Sequence, residues 1–190
     1  RAFNDLHMDY SAAGMSEALA EALEKQVVAN GTNVASMIYF AGMGDWYGGM
    51  CECPECKKIY EEEVWTDPDG AKKPGYTATL LRMINQTAEI LEKKYPGIRV
   101  GTFAYMSLEA PPAKTVPRSN VTIFVPRLRH CTVHPVSDLC PKNKGFARNM
   151  EQWCKLAPGR VYVWEYGASF RNFLEPFPCL YSMADNLRYY

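Results

Sequence analysis

Val34-Ala35-Ser36-Met37-Ile38-Tyr39-Phe40 leads, through Ala41-Gly42-Met43, into Gly44-Asp45-Trp46-Tyr47-Gly48-Gly49-Met50-Cys51-Glu52-Cys53-Pro54-Glu55-Cys56. The first run has the length and apolar content of a buried parallel strand. The second reads as a loop holding one carboxylate, two aromatic rings, glycines and three thiols. In α/β proteins such loops at the carboxyl ends of strands carry function.

The rest of the chain repeats this alternation. Upstream, residues 14–29 form an amphipathic pattern with Met15, Leu19, Ala22, Leu23 and Val27 on one face, stopped by Asn30-Gly31. Downstream, Asp67 to Gly75 is turn chemistry. Leu80, Leu81, Ile84, Ala88 and Leu91 then recur at helical spacing until Pro96-Gly97. Residues 98–105 read as a strand opening into a proline-rich loop, and Val121–Val125 as another strand ending at Pro126-Arg127. Residues 144–156 form a helix around Phe146, Met150 and Trp153. Val161–Trp164 is a further strand, ending in Glu165-Tyr166-Gly167, and the tail from Cys179 is the next helix.

Alternation of this kind predicts parallel strands with covering helices. No G-x-G-x-x-G or G-x-x-x-x-G-K follows any strand, so a nucleotide-binding open sheet loses ground to a (β/α) barrel of the TIM type. Four strands do not close an eight-stranded barrel. The expectation is one α/β domain over residues 1–190 that forms the later half of such a barrel, or a reduced version of one, within a larger polypeptide.

Composition narrows the function classes. The 21 basic and 21 acidic residues cancel, which gives no support to nucleic acid or an anionic membrane as partner. No apolar stretch approaches the roughly 20 residues of a membrane span, and no signal peptide is visible. The chain starts at Arg1, so a processed N-terminus remains open. Seven cysteines is an odd number, so they cannot all pair within the chain.

Several ordered motifs make the chain resemble the bacterial family catalogued as domain of unknown function 4838. They are the Asp45 loop running into Cys51-x-Cys53-x-x-Cys56, the helix 77–95 leading to Gly101-Thr102-Phe103-Ala104-Tyr105, and Pro111-Pro112. His134-Pro135, Trp153 with Ala157-Pro158, Val163-Trp164-Glu165-Tyr166 and Pro176-Phe177-Pro178 follow. The resemblance spans residues 34–190. It implies a glycosidase-like barrel, a link to carbohydrate breakdown, and an extracellular or periplasmic location. The chain departs from the family pattern at Gly44-Asp45, where Asn-Asp is usual, and at Glu165, where the family carries Asp.

A glycosidase needs two carboxyl groups about the bond it cleaves, and Asp45 and Glu165 lie just past apolar strands. They are the candidate catalytic pair. In the competing reading Asp45 caps a turn and Glu165 pairs with an arginine such as Arg127 or Arg171. Trp46, Tyr47, Tyr105, Trp164, Tyr166 and Phe170 are candidate stacking platforms for a glycan, and Arg127 or Arg171 would recognise an acidic sugar. Similarity to α-glucuronidase barrels points to that sugar by analogy alone. His134 reads as a loop-ordering histidine, with ligand contact as the minority alternative.

Cys51, Cys53 and Cys56 have three readings: disulfides to Cys131 or Cys140, free thiols, or a structural zinc site completed by His130, His134 or Cys140. The first two rank ahead of zinc, so no cofactor is expected. Acidic Glu61-Glu62-Glu63 reads as a solvated helix face. The leading function is a glycoside hydrolase. The alternatives are a non-catalytic carbohydrate-binding domain on a degenerate barrel and a zinc-stabilised interaction module.

Overall fold

The computed structural model describes residues 7–31, 34–43, 49–138 and 140–190. Helix α1 (Met15–Asn30) precedes strand β1 (Ile38–Ala41), and helix α2 (Pro54–Glu62) follows with a two-residue ribbon, β2 (Trp65–Thr66) and β3 (Lys72–Lys73). Helix α3 (Thr77–Lys94), strands β4 (Arg99–Phe103) and β5 (Val121–Pro126), helix α4 (Lys144–Leu156), strand β6 (Val161–Trp164) and helix α5 (Leu180–Tyr189) complete the order. The main sheet runs β1-β4-β5-β6, every pair parallel, so its spatial order is the chain order. The expected parallel α/β sheet with covering helices is present.

Side-chain alternation gives the sheet two unlike faces. Tyr39, Ala41, Val100, Val121, Ile123 and Val125 are buried in one core with Leu23 and Val27 of α1, Leu80, Ile84 and Leu91 of α3, and Phe146 and Trp153 of α4. Each of the fully buried large side chains contributes roughly 1.5–3 kcal/mol. Trp153 also satisfies its one polar atom, donating from Nε1 to the Glu109 carbonyl at 2.9 Å.

The other face carries Phe40, Phe103, Phe124, Tyr162 and Trp164. Phe40 meets Phe103 at 4.4 Å and Phe124 at 4.9 Å between ring centroids, and Tyr162 stacks on Phe124 at 5.1 Å. Gly101 sits among these rings. A Cβ there would lie 2.6 Å from Ile38 and 3.0 Å from Phe40, so only glycine lets the aromatic side chains close over this point. Tyr162 and Trp164 are about half exposed, at 46% and 49%.

Three local expectations change. The strand expected over 34–40 is shorter and later: Val34–Ser36 is a 3-10 turn and pairing begins at Ile38. Ala35, Ser36 and Met37 are exposed, and the pleated surface has little use for them. The cysteine loop ends sooner than expected, because Cys53 caps α2 and Pro54 takes its first position, where the missing N–H costs nothing. The acidic run also divides. Glu61 and Glu62 are solvated, while Glu63 is buried beneath the 114–115 backbone.

Candidate functional site

The carboxyl edge of the parallel sheet is where its loops converge, and alternation sorts the side chains there. Phe103, Tyr105, Pro126, Trp164 and Tyr166 continue the aromatic face and, with Met43, line a cleft of about 200 Å³. Trp164 stands edge-on to Phe103 at 5.6 Å. This cleft brings together three of the expected platforms: Tyr105, Trp164 and Tyr166. Phe170 lies beside it rather than in it, edge-on to Tyr166 at 5.4 Å and largely exposed. Arg171 is exposed as well.

Arg127 and Glu165 follow the opposite alternation and point toward the helix side, beneath α5. The Arg127 side chain is almost fully buried, with Nε 2.9 and 3.0 Å from the two Glu165 oxygens. Its Nη1 donates to the Cys131 carbonyl at 3.0 Å, and Nη2 has no partner among the described residues. Tyr190, from the end of α5, donates its hydroxyl to Glu165. Burial, and then that hydrogen bond, push the Tyr190 phenol far above its usual range. Arg127, Glu165, Tyr166 and Tyr190 help line a second cavity, of about 220 Å³. Tyr166 is common to both cavities.

Glu165 therefore makes the arginine pair that its competing reading required. Asp45, Trp46 and Tyr47 lie outside the described residues, so the separation of the two carboxylates is not defined. Tyr190 gave no sign in the sequence, since a terminal aromatic residue on a helix carries no motif.

The thiols fall into two separate groups. Cys51, Cys53 and Cys56 gather with Asp9, and Cys131 gathers with His134 and Cys140. In each group the donor atoms lie within 4.8 Å of one another. All seven cysteines are free thiols. The partner of Cys51–Cys56 thus comes from upstream, at Asp9, rather than from the 130–140 loop. His130 joins neither group: its Nδ1 is 3.1 Å from the Lys142 carbonyl and its Nε2 is 3.5 Å from Glu109.

Cys131 Sγ lies 3.2 Å from His134 Nδ1 and accepts the His134 amide at 3.5 Å. That amide hydrogen bond leads the effects that bring the Cys131 thiol down to about 7. His134 is thus held beside a thiol and not in the aromatic cleft. Its carbonyl accepts from Asn143 Nδ2 at 3.1 Å.

A cleft of about 1060 Å³ opens over the Asp9 group and not over Arg127 and Glu165. Its walls include charged Glu52, Lys57 and Glu61.

No helix among the described residues is long and apolar enough to cross a membrane. Comparison with curated proteins gives no match, and comparison with solved structures gives none. A family model does match, over residues 10–190, which takes in the sheet, its carboxyl edge and both thiol groups. The chain belongs to the family described as Domain of unknown function (DUF4838).

Proposed function

We propose that this protein binds carbohydrate at the carboxyl edge of its parallel sheet, with Tyr105, Trp164 and Tyr166 as the stacking surface. The aromatic cleft carries this reading. Three rings, one of them a half-exposed tryptophan, converge on a cavity sized for one sugar ring. The C–H face of a pyranose suits such rings, and their polar tips suit its hydroxyls. The wider fold supports it. A parallel sheet in chain order, with helices on one face and aromatic side chains on the other, is compatible with the wall of a (β/α) barrel.

Trp164→Ala is the direct test. It should weaken glycan binding by the intact protein about 30-fold, the effect of losing a central aromatic anchor worth about 2 kcal/mol. Thermal stability should stay nearly unchanged, because half of the ring already faces water. A glycan array followed by titration calorimetry reads the affinity, and scanning calorimetry reads the stability. No glycan bound, or affinity indifferent to Trp164→Ala, would overturn the proposal.

Glycoside hydrolysis is the second reading, favoured by one observation: Glu165 sits at the end of β6, one residue from each of two rings in the cleft. A carboxylate tied to a guanidinium and a phenol suits a nucleophile or base better than an acid. Its orientation toward α5, away from Tyr105 and Trp164, is why binding is placed first. Release of reducing sugar that Glu165→Gln abolishes, in a variant still folded at the assay temperature, would reverse that order.

A further inference from the structure

Cys51-x-Cys53-x-x-Cys56 places two thiols in the turn before α2 and the third in its first helical turn. The chain bends so that the Cys53 amide donates to Cys51 Sγ at 3.5 Å and the Cys56 amide to Cys53 Sγ at 3.4 Å. Amide hydrogen bonds to sulfur favour the thiolate over the thiol.

From the other side comes a segment more than 40 residues upstream. Asp9 Oδ1 lies 3.3 Å from Cys56 Sγ and is oriented by the Ser11 amide at 3.0 Å and the Ser11 hydroxyl at 2.7 Å. The same hydroxyl oxygen is 3.2 Å from Cys56 Sγ and 3.7 Å from Cys53 Sγ. Hydrogen bonding thus holds the carboxylate in place among the sulfurs, as outer-shell groups hold metal ligands.

We propose that Asp9, Cys51, Cys53 and Cys56 bind one zinc ion in a closed structural site. Three thiolates select a thiophilic metal, the carboxylate favours a borderline divalent ion over a purely soft one, and four protein donors leave no open position for chemistry. Zn–S bonds of about 2.3 Å place tetrahedral donors about 3.8 Å apart. Donors already within 4.8 Å of one another therefore close on an ion by moving inward about 1 Å at most.

A divalent ion held there would neutralise the charge of three thiolates and a carboxylate. The ion joins three pieces of chain: residues 9–11, the turn at 51–53 and the start of α2. The His7 amide donating to the Gly49 carbonyl at 3.0 Å and the Tyr60 hydroxyl donating to the Cys51 carbonyl at 3.1 Å strap the same pieces together. The proposal is independent of sugar binding, since the stacking cleft shares none of these residues.

The test is metal analysis of the intact protein, purified in reductant, loaded with zinc and dialysed. About one zinc per chain is expected to survive in the Cys131→Ser/His134→Ala variant, whose second thiol group is disabled. The Asp9→Ala/Cys53→Ser variant should lose that ion. In case this variant does not fold, cobalt(II) loaded into the Cys131→Ser/His134→Ala protein serves as a second reading. It should show intense tetrahedral ligand-field bands and sulfur-to-cobalt charge transfer from three thiolates. Three results would each overturn the site: no retained zinc, a cobalt spectrum without thiolate charge transfer, or a mass two hydrogens short that marks a disulfide among these thiols.

Discussion

Glu165→Ala is expected to destabilise the protein by about 2–4 kcal/mol, lowering the midpoint of thermal unfolding by about 10 °C. The cause is the guanidinium left behind. The Arg127 side chain is buried to 1% exposure, reaches Glu165 through Nε, and among the described residues has only the Cys131 carbonyl for Nη1 besides. A buried charge that loses its counter-ion typically costs about 3–5 kcal/mol. The figure is discounted here because a third of the Glu165 side chain meets water, which will partly hydrate what remains. Glu165→Gln keeps an acceptor for Nε and should cost less than alanine. Removing both partners, in Arg127→Met/Glu165→Ala, should restore part of the loss. Calorimetry of the three variants decides the matter. An unchanged midpoint in Glu165→Ala would show that the pair carries no structural role and would return weight to catalysis.

Glu63→Ala is expected to cost a similar amount, about 3 kcal/mol, from a position that ordinary surface reasoning would treat as neutral. Glu63 is 1% exposed and accepts from the Lys114 amide at 2.6 Å, the Thr115 amide at 3.2 Å and the Thr115 hydroxyl, with Arg82 Nη2 at 3.1 Å. It pins the proline-rich stretch after β4 to the end of α2, and a Cβ at Gly75 would overlap its backbone, so the site has no slack.

Burial alone would raise the Glu63 carboxyl. The Thr115 hydroxyl, the two amides and Arg82 outweigh that effect and hold it below its ordinary value of 4.5. A lowered folded value means that this stabilisation is complete above the unfolded value and is lost as pH falls through the folded one. The gap between wild type and Glu63→Gln should therefore be widest near neutral pH and narrow below about pH 4.5, which urea unfolding at several pH values measures. A gap that is constant with pH would assign the effect to packing rather than charge.

The elements legible in the sequence are those whose signal is local. Leu80, Leu81, Ile84, Ala88 and Leu91 define α3 by spacing alone, and Val121–Val125 is too apolar and β-branched to be anything but a core strand. The start of helix α2 was hidden because its content is polar and its cap is a cysteine, a residue with little capping preference. Trp164 and Tyr166 could be placed together because they share a face of one strand end. What stayed out of reach required two distant segments at once. Nothing in Asp9-Tyr10-Ser11 announces that it will meet Cys56, and nothing in Thr115 announces that it will meet Glu63. The alternation that separates Glu165 from the stacking rings was legible in principle, since residues 164, 165 and 166 must point to opposite sides in turn.

The chain-ordered sheet also bears on how the molecule assembles. Strands β4 and β5 are joined by residues 104–120 and β5 and β6 by residues 127–160, whereas β1 must find β4 across residues 42–98. A connection about threefold longer than the β4–β5 link adds about 1 kcal/mol of closure entropy before any pairing rewards it. On this count the edge that carries the cysteine turn is expected to pair after β4, β5 and β6 have joined, an order that pulse-labelled hydrogen exchange would read.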